Sequence, residues 1–311
     1  MSLAFVFPGQ GAQTIGMGRD LAEAYPAAQA VFDEVDAALG EKLSSLIWEG
    51  GAETLTLTEN AQPALMATSL AAVRALETEG VAVDAAAFVA GHSLGEYSAL
   101  CAVGALELAD TARLLRLRGR AMQSAVPVGE GAMAAVLGLE IDAVEALAAE
   151  AAQGEICEVA NENDPAQTVV SGSKSAIERV VAIAKERGAK RALPLPVSAP
   201  FHCALMKPAA DAMAEALADV TIKTPMVPVV ANVVAEAVSD PEDIRRLLVK
   251  QVAGRVRWRS SVEWMAGQGV DAFWELGAGK ALSGMIRRIA KQAETRTVGS
   301  ATDVAEAAVS L

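Results

Sequence analysis

A serine between two glycines, in GHSLG at residues 91–95, is the clearest candidate for nucleophilic chemistry in this chain. The pattern G-x-S-x-G is typical of a serine held out on a sharp turn between a strand and a helix, where larger flanking side chains would collide with backbone. The apolar run AAFVA precedes it and a helical pattern follows. We interpret Ser93 as a candidate nucleophile; the alternative is a serine that only caps the helix N-terminus.

A serine hydroxyl needs a base at neutral pH, and histidine is the usual one. The chain has two histidines, His92 and His202. Because His92 adjoins Ser93 on a tight turn, its side chain should point away from the hydroxyl, so His202 is the candidate base by elimination. A core histidine without a catalytic role is the alternative. Either Asp142, Asp164 or a backbone carbonyl could orient the imidazole, and spacing does not choose among them.

Two groups are candidates for stabilising an oxyanion. The backbone N–H of Leu94 is unpaired at the start of the predicted helix and can point at the oxygen that becomes charged when the serine attacks a carbonyl. The first predicted strand ends in FPGQGAQ, where Gln10 could supply a second donor. Taken alone, that segment is better interpreted as an ordinary Pro-Gly turn.

One arginine has an unusual position on the helix predicted at about 110–124. At about 100° per residue, Arg113, Arg116 and Arg120 share one side and are expected at the surface, whereas Arg118 falls among apolar side chains. A buried guanidinium is unfavourable unless paired, and its planar fork matches a carboxylate. No acidic residue lies three or four positions from Arg118. Its partner is either a distant Asp or Glu or a ligand, and helix geometry does not decide between them.

Short apolar runs alternate with helical patterns and predict an α/β fold with a parallel sheet covered by helices. The strand candidates lie at 3–7, 86–90, 228–233 and 271–276. From about Gly131 to Val197 the order is strand, helix, strand, strand, helix, strand, which is typical of a ferredoxin-like unit. We predict that this small unit interrupts a larger α/β domain and that the functional site lies between the two.

The overall charge argues against nucleic acid as a partner. The 311 residues carry a formal net charge of -13, whereas binding to phosphates depends on clustered Lys and Arg. An anionic ligand or acidic partner would need a local basic patch, for which Lys190 with Arg191, or Arg287 with Arg288 and Lys291, are candidates. Ordinary solvated surface is the preferred interpretation of both.

Other patterns argue against several further classes. Three widely spaced cysteines without a CxxC pair predict reduced thiols, and two histidines are too few for a typical metal site, so no metal is expected. The segment LGAGKALSG at 276–284 satisfies neither glycine-rich nucleotide motif. No apolar run approaches the roughly 20 residues that span a bilayer, and a basic leader is lacking, so a cytoplasmic protein is expected.

Six motifs follow one another along the chain: FPGQGAQ, GHSLGEYSAL, RGRAMQ, VANENDPAQTVVSG, PVSAPFH and ELGAGKAL. Together they resemble the bacterial malonyl-CoA:acyl carrier protein transacylases, nearly from end to end. The resemblance implies an α/β-hydrolase-like subdomain, residues 1–128 and 198–311, with a ferredoxin-like subdomain at 129–197. It also implies a ping-pong reaction without a cofactor. Ser93 takes malonyl from malonyl-CoA, and the phosphopantetheine thiol of acyl carrier protein then removes it.

The resemblance also implies roles for individual residues. The serine of GHSLG is Ser93 and the histidine of PFH is His202. Leu94, through its N–H, and Gln10 would form the oxyanion hole. Gln251 aligns with a glutamine whose backbone carbonyl orients the histidine, in which case no acid is required.

Three further positions concern the acyl group. Arg118, the arginine of RGR, would hold the malonyl carboxylate, and Asn163 would contribute to the pocket. Phe201, a bulky aromatic before the histidine, favours malonyl over methylmalonyl. Ala278 departs from the family pattern, where proline is common, and leaves these assignments untouched.

Two other functions share parts of this pattern. A serine hydrolase or thioesterase would use the same serine and base but has no need of a buried cation, so Arg118 separates the two. A noncatalytic acyltransferase-like scaffold would not need Ser93, His202 and Arg118 together. The pathway, fatty acid or polyketide, stays open. The expected partners are acyl carrier protein and coenzyme A thioesters, with no nucleic acid or membrane, and the chain is expected to be a monomer.

Overall fold

The computed structural model describes residues 2–197 and 199–310, and its strands form two separate sheets. This arrangement confirms the predicted α/β class. In chain order the strands are β1 (Leu3–Phe7), β2 (Ala86–Gly91), β3 (Gly131–Leu137), β4 (Cys157–Asp164), β5 (Gln167–Ser173), β6 (Arg191–Pro194), β7 (Val229–Ala231), β8 (Glu236–Val238), β9 (Ala272–Leu276) and β10 (Glu294–Val298).

Helices cover both sheets, and none of those described is long and apolar enough to cross a membrane. In chain order they are α1 (Arg19–Ala24), α2 (Pro26–Leu39), α3 (Leu43–Glu49), α4 (Ala52–Thr56), α5 (Thr58–Thr78), α6 (Leu94–Ala102), α7 (Leu108–Ser124), α8 (Ile141–Ala152), α9 (Lys174–Ile183), α10 (Lys207–Ala218), α11 (Pro241–Ala253), α12 (Trp258–Gly267), α13 (Ala281–Ile289) and α14 (Ala301–Ala308).

The larger sheet has the order β10-β9-β1-β2-β7-β8 and is parallel except for the β7–β8 pair. All five residues of the central strand β1 are buried, as expected for a strand covered by helices on both faces. Strands β8 and β10 were not predicted from the sequence. Both are edge strands, with the sequences EAV and ETRTV, and a strand open to solvent on one side lacks the continuous apolar run that marks a central one.

The smaller sheet has the order β4-β5-β3-β6 with antiparallel pairs, and its strands and helices follow the predicted βαββαβ order. Apolar residues of α8 and α9 form one core with the sheet. The predicted last strand continued to Val197, but β6 ends at Pro194. The N–H of Leu195 still donates to the carbonyl oxygen of Met133 at 2.9 Å, and Pro196 has no N–H with which to continue the ladder. The subdomain boundaries after residues 128 and 197 stay a prediction, and Ser198 lies outside the described residues.

Backbone hydrogen bonds and an ion pair between side chains join the two units along β4. Val256, before α12, donates its N–H to Ala160 of β4 at 2.8 Å and accepts from Glu162 N at 2.9 Å. Asp164 at the end of β4 is fully buried and forms an ion pair with Arg288 of α13 at 2.7 Å. The small unit is therefore fixed against the larger one along β4.

The contact between α5 and α7 sets the position of the arginine helix. Gly119 allows close approach, because a Cβ there would lie 2.5 Å from Glu59 Cα. The expectation that Arg116 lies at the surface is wrong: it is buried, hydrogen-bonded to Asn60 and ion-paired with Glu41. Helix α7 packs against both α5 and α2, so neighbouring helices cover a side that the helical pattern alone assigned to solvent.

Candidate active site

Ser93 lies on the turn between β2 and α6 with φ 54° and ψ -110°, an unfavourable conformation for a residue with a side chain. The flanking glycines make this turn possible. A Cβ on Gly91 would lie 1.9 Å from the carbonyl carbon of Gly95, and one on Gly95 would lie 2.2 Å from the carbonyl oxygen of Phe7. The fold therefore confirms that larger side chains at these two positions would collide with backbone, as the sequence pattern predicts.

Asn232, just after β7, holds this turn in place. Its Oδ1 accepts from the N–H of Ser93 at 2.8 Å, and its Nδ2 donates to the carbonyl oxygen of Gly91 at 2.7 Å. Both bonds are made to the strained backbone, and Asn232 is fully buried. Asn232 was not predicted from the sequence. The available signal was a lone amide within the apolar run PVVANV.

His202 meets the serine hydroxyl, with Nε2 2.7 Å from Ser93 Oγ. Its Nδ1 faces two backbone oxygens, of Gln251 at 2.9 Å and of Gly254 at 3.2 Å. Because carbonyl oxygens only accept, Nδ1 carries the proton and Nε2 is free to accept one. Burial, and then the charge of Arg118, lower the pKa of His202 to about 3. The imidazole is therefore a neutral base.

The acids considered from the sequence lie elsewhere. Asp142 is exposed on α8, and Asp164 is engaged with Arg288. The carbonyl of Gln251 occupies the position that an acid takes in a triad. Of the alternatives left open by spacing, the geometry matches the backbone carbonyl.

The second histidine points away from the nucleophile, as expected. His92 Nε2 lies 2.9 Å from Oδ1 of Asn163, and its ring lies beside Trp258 with the centroids 5.9 Å apart. The structure therefore places Asn163 against His92 and not among the described residues that line the cavity between the units. Asn161, from the same strand, lines that cavity instead.

Arg118 is 1% exposed and directed at the nucleophile. Its Nη2 donates to Ser93 Oγ at 3.1 Å and to Gln251 Oε1 at 2.9 Å, and its Nη1 donates to Gln62 Oε1 at 2.8 Å. The guanidinium also lies over the Tyr97 ring, 5.6 Å from its centroid. All three hydrogen-bond partners are uncharged, and within the described residues Nε has none. A buried cation with spare donors beside the nucleophile suits an anionic ligand group.

Glu96, on α6, is a buried acid behind the site that the sequence analysis also missed. Its Oε2 accepts from the backbone N–H of Asn232 at 3.0 Å and from Nε2 of Gln251 at 2.9 Å. Burial raises the pKa of Glu96 to about 7, against the lowering effect of these hydrogen bonds and of the Arg118 charge. The signal in the sequence was a carboxylate within the otherwise apolar start of α6.

A cavity of about 360 Å³ lies between the two units and contains the candidate catalytic groups. This volume is within the range typical of small-molecule sites. Phe201 forms part of the wall and packs against the core of the larger unit and against a small buried cluster on β3, β4 and β5. The described lining residues are Gln10, Gly11, Gln13, Thr56, Gln62, His92, Ser93, Leu94, Arg118, Met122, Met133, Asn161, Leu195, Pro196, Val197, Phe201 and His202.

The two oxyanion candidates both reach this cavity. Leu94 is the first residue of α6, so its N–H precedes the helical hydrogen bonds and is available to a ligand. Gln10 lies near the start of the loop that follows β1, and its Nε2 donates to the Thr58 hydroxyl at 3.3 Å. The arrangement thus joins a nucleophile, a neutral base, a free backbone N–H and a fixed cation, which together are suited to acyl transfer from an ester or thioester.

Comparison with known proteins gives one family. The acyl transferase domain family matches residues 4–309. The malonyl CoA-acyl carrier protein transacylase of Bacillus subtilis strain 168 is 48% identical over 297 residues, covering 95% of this chain and 93% of the relative. The protein of the same name from Escherichia coli strain K12 is 50% identical over 286 residues, 92% of each chain.

Solved structures agree. The acyl-carrier-protein-S-malonyltransferase of Bartonella henselae is 55% identical with a TM-score of 0.97, covering 99% of this chain and 98% of that one. A malonyl-transacylase solved in complex with its type II PKS acyl-carrier protein is 42% identical with a TM-score of 0.97, covering 100% of each chain. These matches extend over the two sheets and the cavity between them. The chain therefore belongs to the acyl transferase family, within its group of malonyl CoA-acyl carrier protein transacylases.

Proposed function

We propose that this chain transfers the malonyl group from malonyl-CoA to the phosphopantetheine thiol of acyl carrier protein, through a malonyl ester on Ser93. The observation that carries the proposal is Arg118, a buried cation 3.1 Å from the nucleophilic oxygen that forms no ion pair with any described residue. A malonyl group differs from an acetyl group by one carboxylate, and the cation can bind that carboxylate through two N–H groups.

In the first half-reaction, Ser93 Oγ attacks the thioester carbonyl while His202 Nε2 takes the hydroxyl proton. The backbone N–H of Leu94 stabilises the oxyanion, with Gln10 as a second donor. When the intermediate collapses, the C–S bond breaks and the imidazolium returns the proton to the sulfur of coenzyme A. The carbonyl oxygens of Gln251 and Gly254 hold the Nδ1 proton throughout.

In the second half-reaction, the carrier-protein thiol takes the place of coenzyme A. His202 takes the thiol proton, the sulfur attacks the malonyl ester, and the proton passes to Ser93 Oγ as the ester bond breaks. The steps use only groups of this chain and its two thioester partners. A neutral imidazole suits both directions, since it must accept a proton twice in each cycle.

Residues in and beside the cavity wall select the acyl group. The ring of Phe201 narrows the cavity and disfavours a methyl branch next to the thioester carbonyl. Asn163 acts on the pocket through His92, which it contacts. Arg118 draws the carboxylate away from the reacting carbonyl, so that one end of malonyl is bound and the other is attacked.

The partner and cellular setting are part of the same proposal. The relatives are named for acyl carrier protein, and one is solved with such a partner. We place this chain in the cytoplasm as a monomer without a cofactor, supplying fatty acid synthesis, with no nucleic acid partner in view of its net charge of -13. The subdomain boundaries at 129–197 belong to the proposal as well.

Intact-mass measurement tests the reaction. Incubation with malonyl-CoA should add the mass of one malonyl group to the protein, located on Ser93. Holo-acyl carrier protein should remove this group, and its own mass should then rise by the same amount. The apo carrier, which lacks the thiol, should leave the ester in place. Ser93→Ala should not be labelled, whereas Ser124→Ala, changed at an exposed serine of α7, should behave as wild type.

Two results would overturn the assignment. Release of free malonate without transfer would indicate the hydrolase alternative, and failure to form any ester would remove Ser93 as the nucleophile. A panel of fatty acid and polyketide carrier proteins separates the two pathways, and we expect faster transfer to the fatty acid carrier.

A further inference from the structure

A buried acid connects the nucleophile turn with the carboxylate-binding cation. Glu96 is 2% exposed and lies behind the cavity wall. Through Gln251 it is linked to Arg118, and through Asn232 it is linked to Ser93. Every link is a hydrogen bond of 2.8 to 3.0 Å. No step of the proposed reaction uses this acid directly.

The side-chain amide of Gln251 has only one orientation that suits its neighbours. Its Nε2 donates to the carbonyl oxygen of Ser93 at 2.9 Å and to Oε2 of Glu96 at 2.9 Å. Its Oε1 accepts from Arg118 Nη2 at 2.9 Å. In the flipped amide, Oε1 would face two oxygens and Nε2 would face an N–H of the guanidinium. The two oxygens that accept from Nε2 therefore hold the amide in the orientation that presents Oε1 to the arginine.

We propose that Glu96 is a positioning residue that fixes the Gln251 amide, and through it the Arg118 fork, and so sets the preference for acyl groups that end in a carboxylate. The inference rests on the proposed function, since it concerns which acyl group is transferred. Glu96 contacts neither substrate nor reacting atoms. Glu96 acts through the position of its carboxylate oxygen, which holds the Gln251 amide in place. This effect of position can be tested separately from an effect of the carboxylate charge.

Two substitutions separate position from charge. Glu96→Gln removes the charge but keeps a carbonyl oxygen that can accept from both Asn232 N and Gln251 Nε2. Glu96→Asp keeps the charge but withdraws the carboxylate by one carbon–carbon bond, about 1.5 Å. That distance is enough to lose a hydrogen bond of 2.9 Å to Gln251. The raised pKa of Glu96, about 7, agrees with a site that tolerates the uncharged form.

Steady-state kinetics with malonyl-CoA and acetyl-CoA test the proposal on the full-length enzyme with holo-acyl carrier protein. Glu96→Asp should lower the malonyl-to-acetyl ratio of kcat/KM by about tenfold or more, mainly through a higher KM for malonyl-CoA, as when one hydrogen bond to a charged group is lost. Glu96→Gln should keep the ratio within about threefold. Glu263→Asp, on α12, is the matched control.

A double mutant tests the route through the amide. In a Gln251→Met background, Glu96→Asp should not lower the malonyl-to-acetyl ratio further, because the amide that transmits the effect is already gone. Equal losses for both acyl groups would show a purely structural role, and an equal loss of selectivity in Glu96→Gln would show that charge is what matters. Either result, or an unchanged ratio in Glu96→Asp, would overturn the inference. If wild type forms no malonyl ester, the proposed function fails instead, so the two failures are distinguishable.

Discussion

Replacing Arg118 with methionine isolates the charge of the buried cation. Arg118 is 1% exposed, and its guanidinium donates to three uncharged groups, on Ser93, Gln62 and Gln251. A flexible side chain of similar length fills the space and leaves only neutral groups unpaired, so the fold should tolerate it. What disappears is the set of N–H donors next to Ser93. Arg113→Met is the matched control, because Arg113 lies on the same helix but is exposed and paired with Asp110.

The magnitude follows from the hydrogen bonds that a malonyl carboxylate would make. Truncating one partner of a buried, hydrogen-bonded charge pair has an effect of about 2 to 4 kcal/mol, which is about 30- to 1000-fold in kcat/KM. Acetyl has no carboxylate, so its transfer should change by less than about threefold. We therefore expect the malonyl-to-acetyl ratio to fall by about 30- to 1000-fold in Arg118→Met.

The assay is transfer of either acyl group from coenzyme A to holo-acyl carrier protein, with circular dichroism to establish folding. A folded variant that loses malonyl and acetyl transfer in equal measure would refute the carboxylate role of Arg118. That outcome would leave the arginine as a support for the Ser93 hydroxyl, which it contacts at 3.1 Å. Arg113→Met should match wild type in both reactions.

Three further perturbations test the base and the turn. Burial lowers the pKa of His202 to about 3, so the unprotonated base dominates above that value. The acylation rate, measured by stopped flow, should therefore stay level between about pH 5 and pH 7. A tenfold fall in rate per pH unit below the ordinary histidine pKa, 6.5, would contradict this. Asn232→Leu removes both side-chain hydrogen bonds to the Ser93 turn and should lower the free energy of unfolding, measured in urea, by about 1 to 3 kcal/mol. It should also reduce kcat more than it changes KM, and an unchanged kcat would argue against a role of Asn232 in holding the turn. Gly95→Ala would place a Cβ 2.2 Å from a carbonyl oxygen of β1 and should abolish folding or lower Tm by several degrees in a thermal melt. Gly267→Ala, in α12 with no atom within 4 Å of the added Cβ, should keep Tm or raise it slightly, because alanine favours a helix over glycine.

Local patterns sufficed where a residue's role depends on its immediate neighbours in the chain. Gly91 must be small because a Cβ there would collide with Gly95 in the same turn, so this part of GHSLG could be interpreted without a fold. Gly95 makes room for the backbone of β1, and only the fold shows that contact. The central strands were predictable because both faces of the sheet are covered. The edge strands β8 and β10 were not, since one side of each lacks a neighbour.

Helix periodicity placed one arginine correctly and another wrongly. It predicted Arg118 on the apolar side, where it is buried. It also assigned Arg116 to solvent, but that residue is buried and ion-paired with Glu41. Periodicity orders the residues around a single helix axis. It does not tell how many neighbouring helices pack against that axis.

The sequence by itself indicated the candidate nucleophile, the isolated cation and the order of the buried strands and of the smaller unit, because each depends on the local pattern of side chains. Only the tertiary structure decided what holds them. Asn232 lies 139 residues from Ser93 and Gln251 lies 155 residues from Glu96, yet both pairs are hydrogen-bonded. Such contacts arise where β2, β7 and α11 come together, and no spacing along the chain encodes them. The candidate catalytic residues could therefore be named in advance, while the buried polar network that positions them had to be observed.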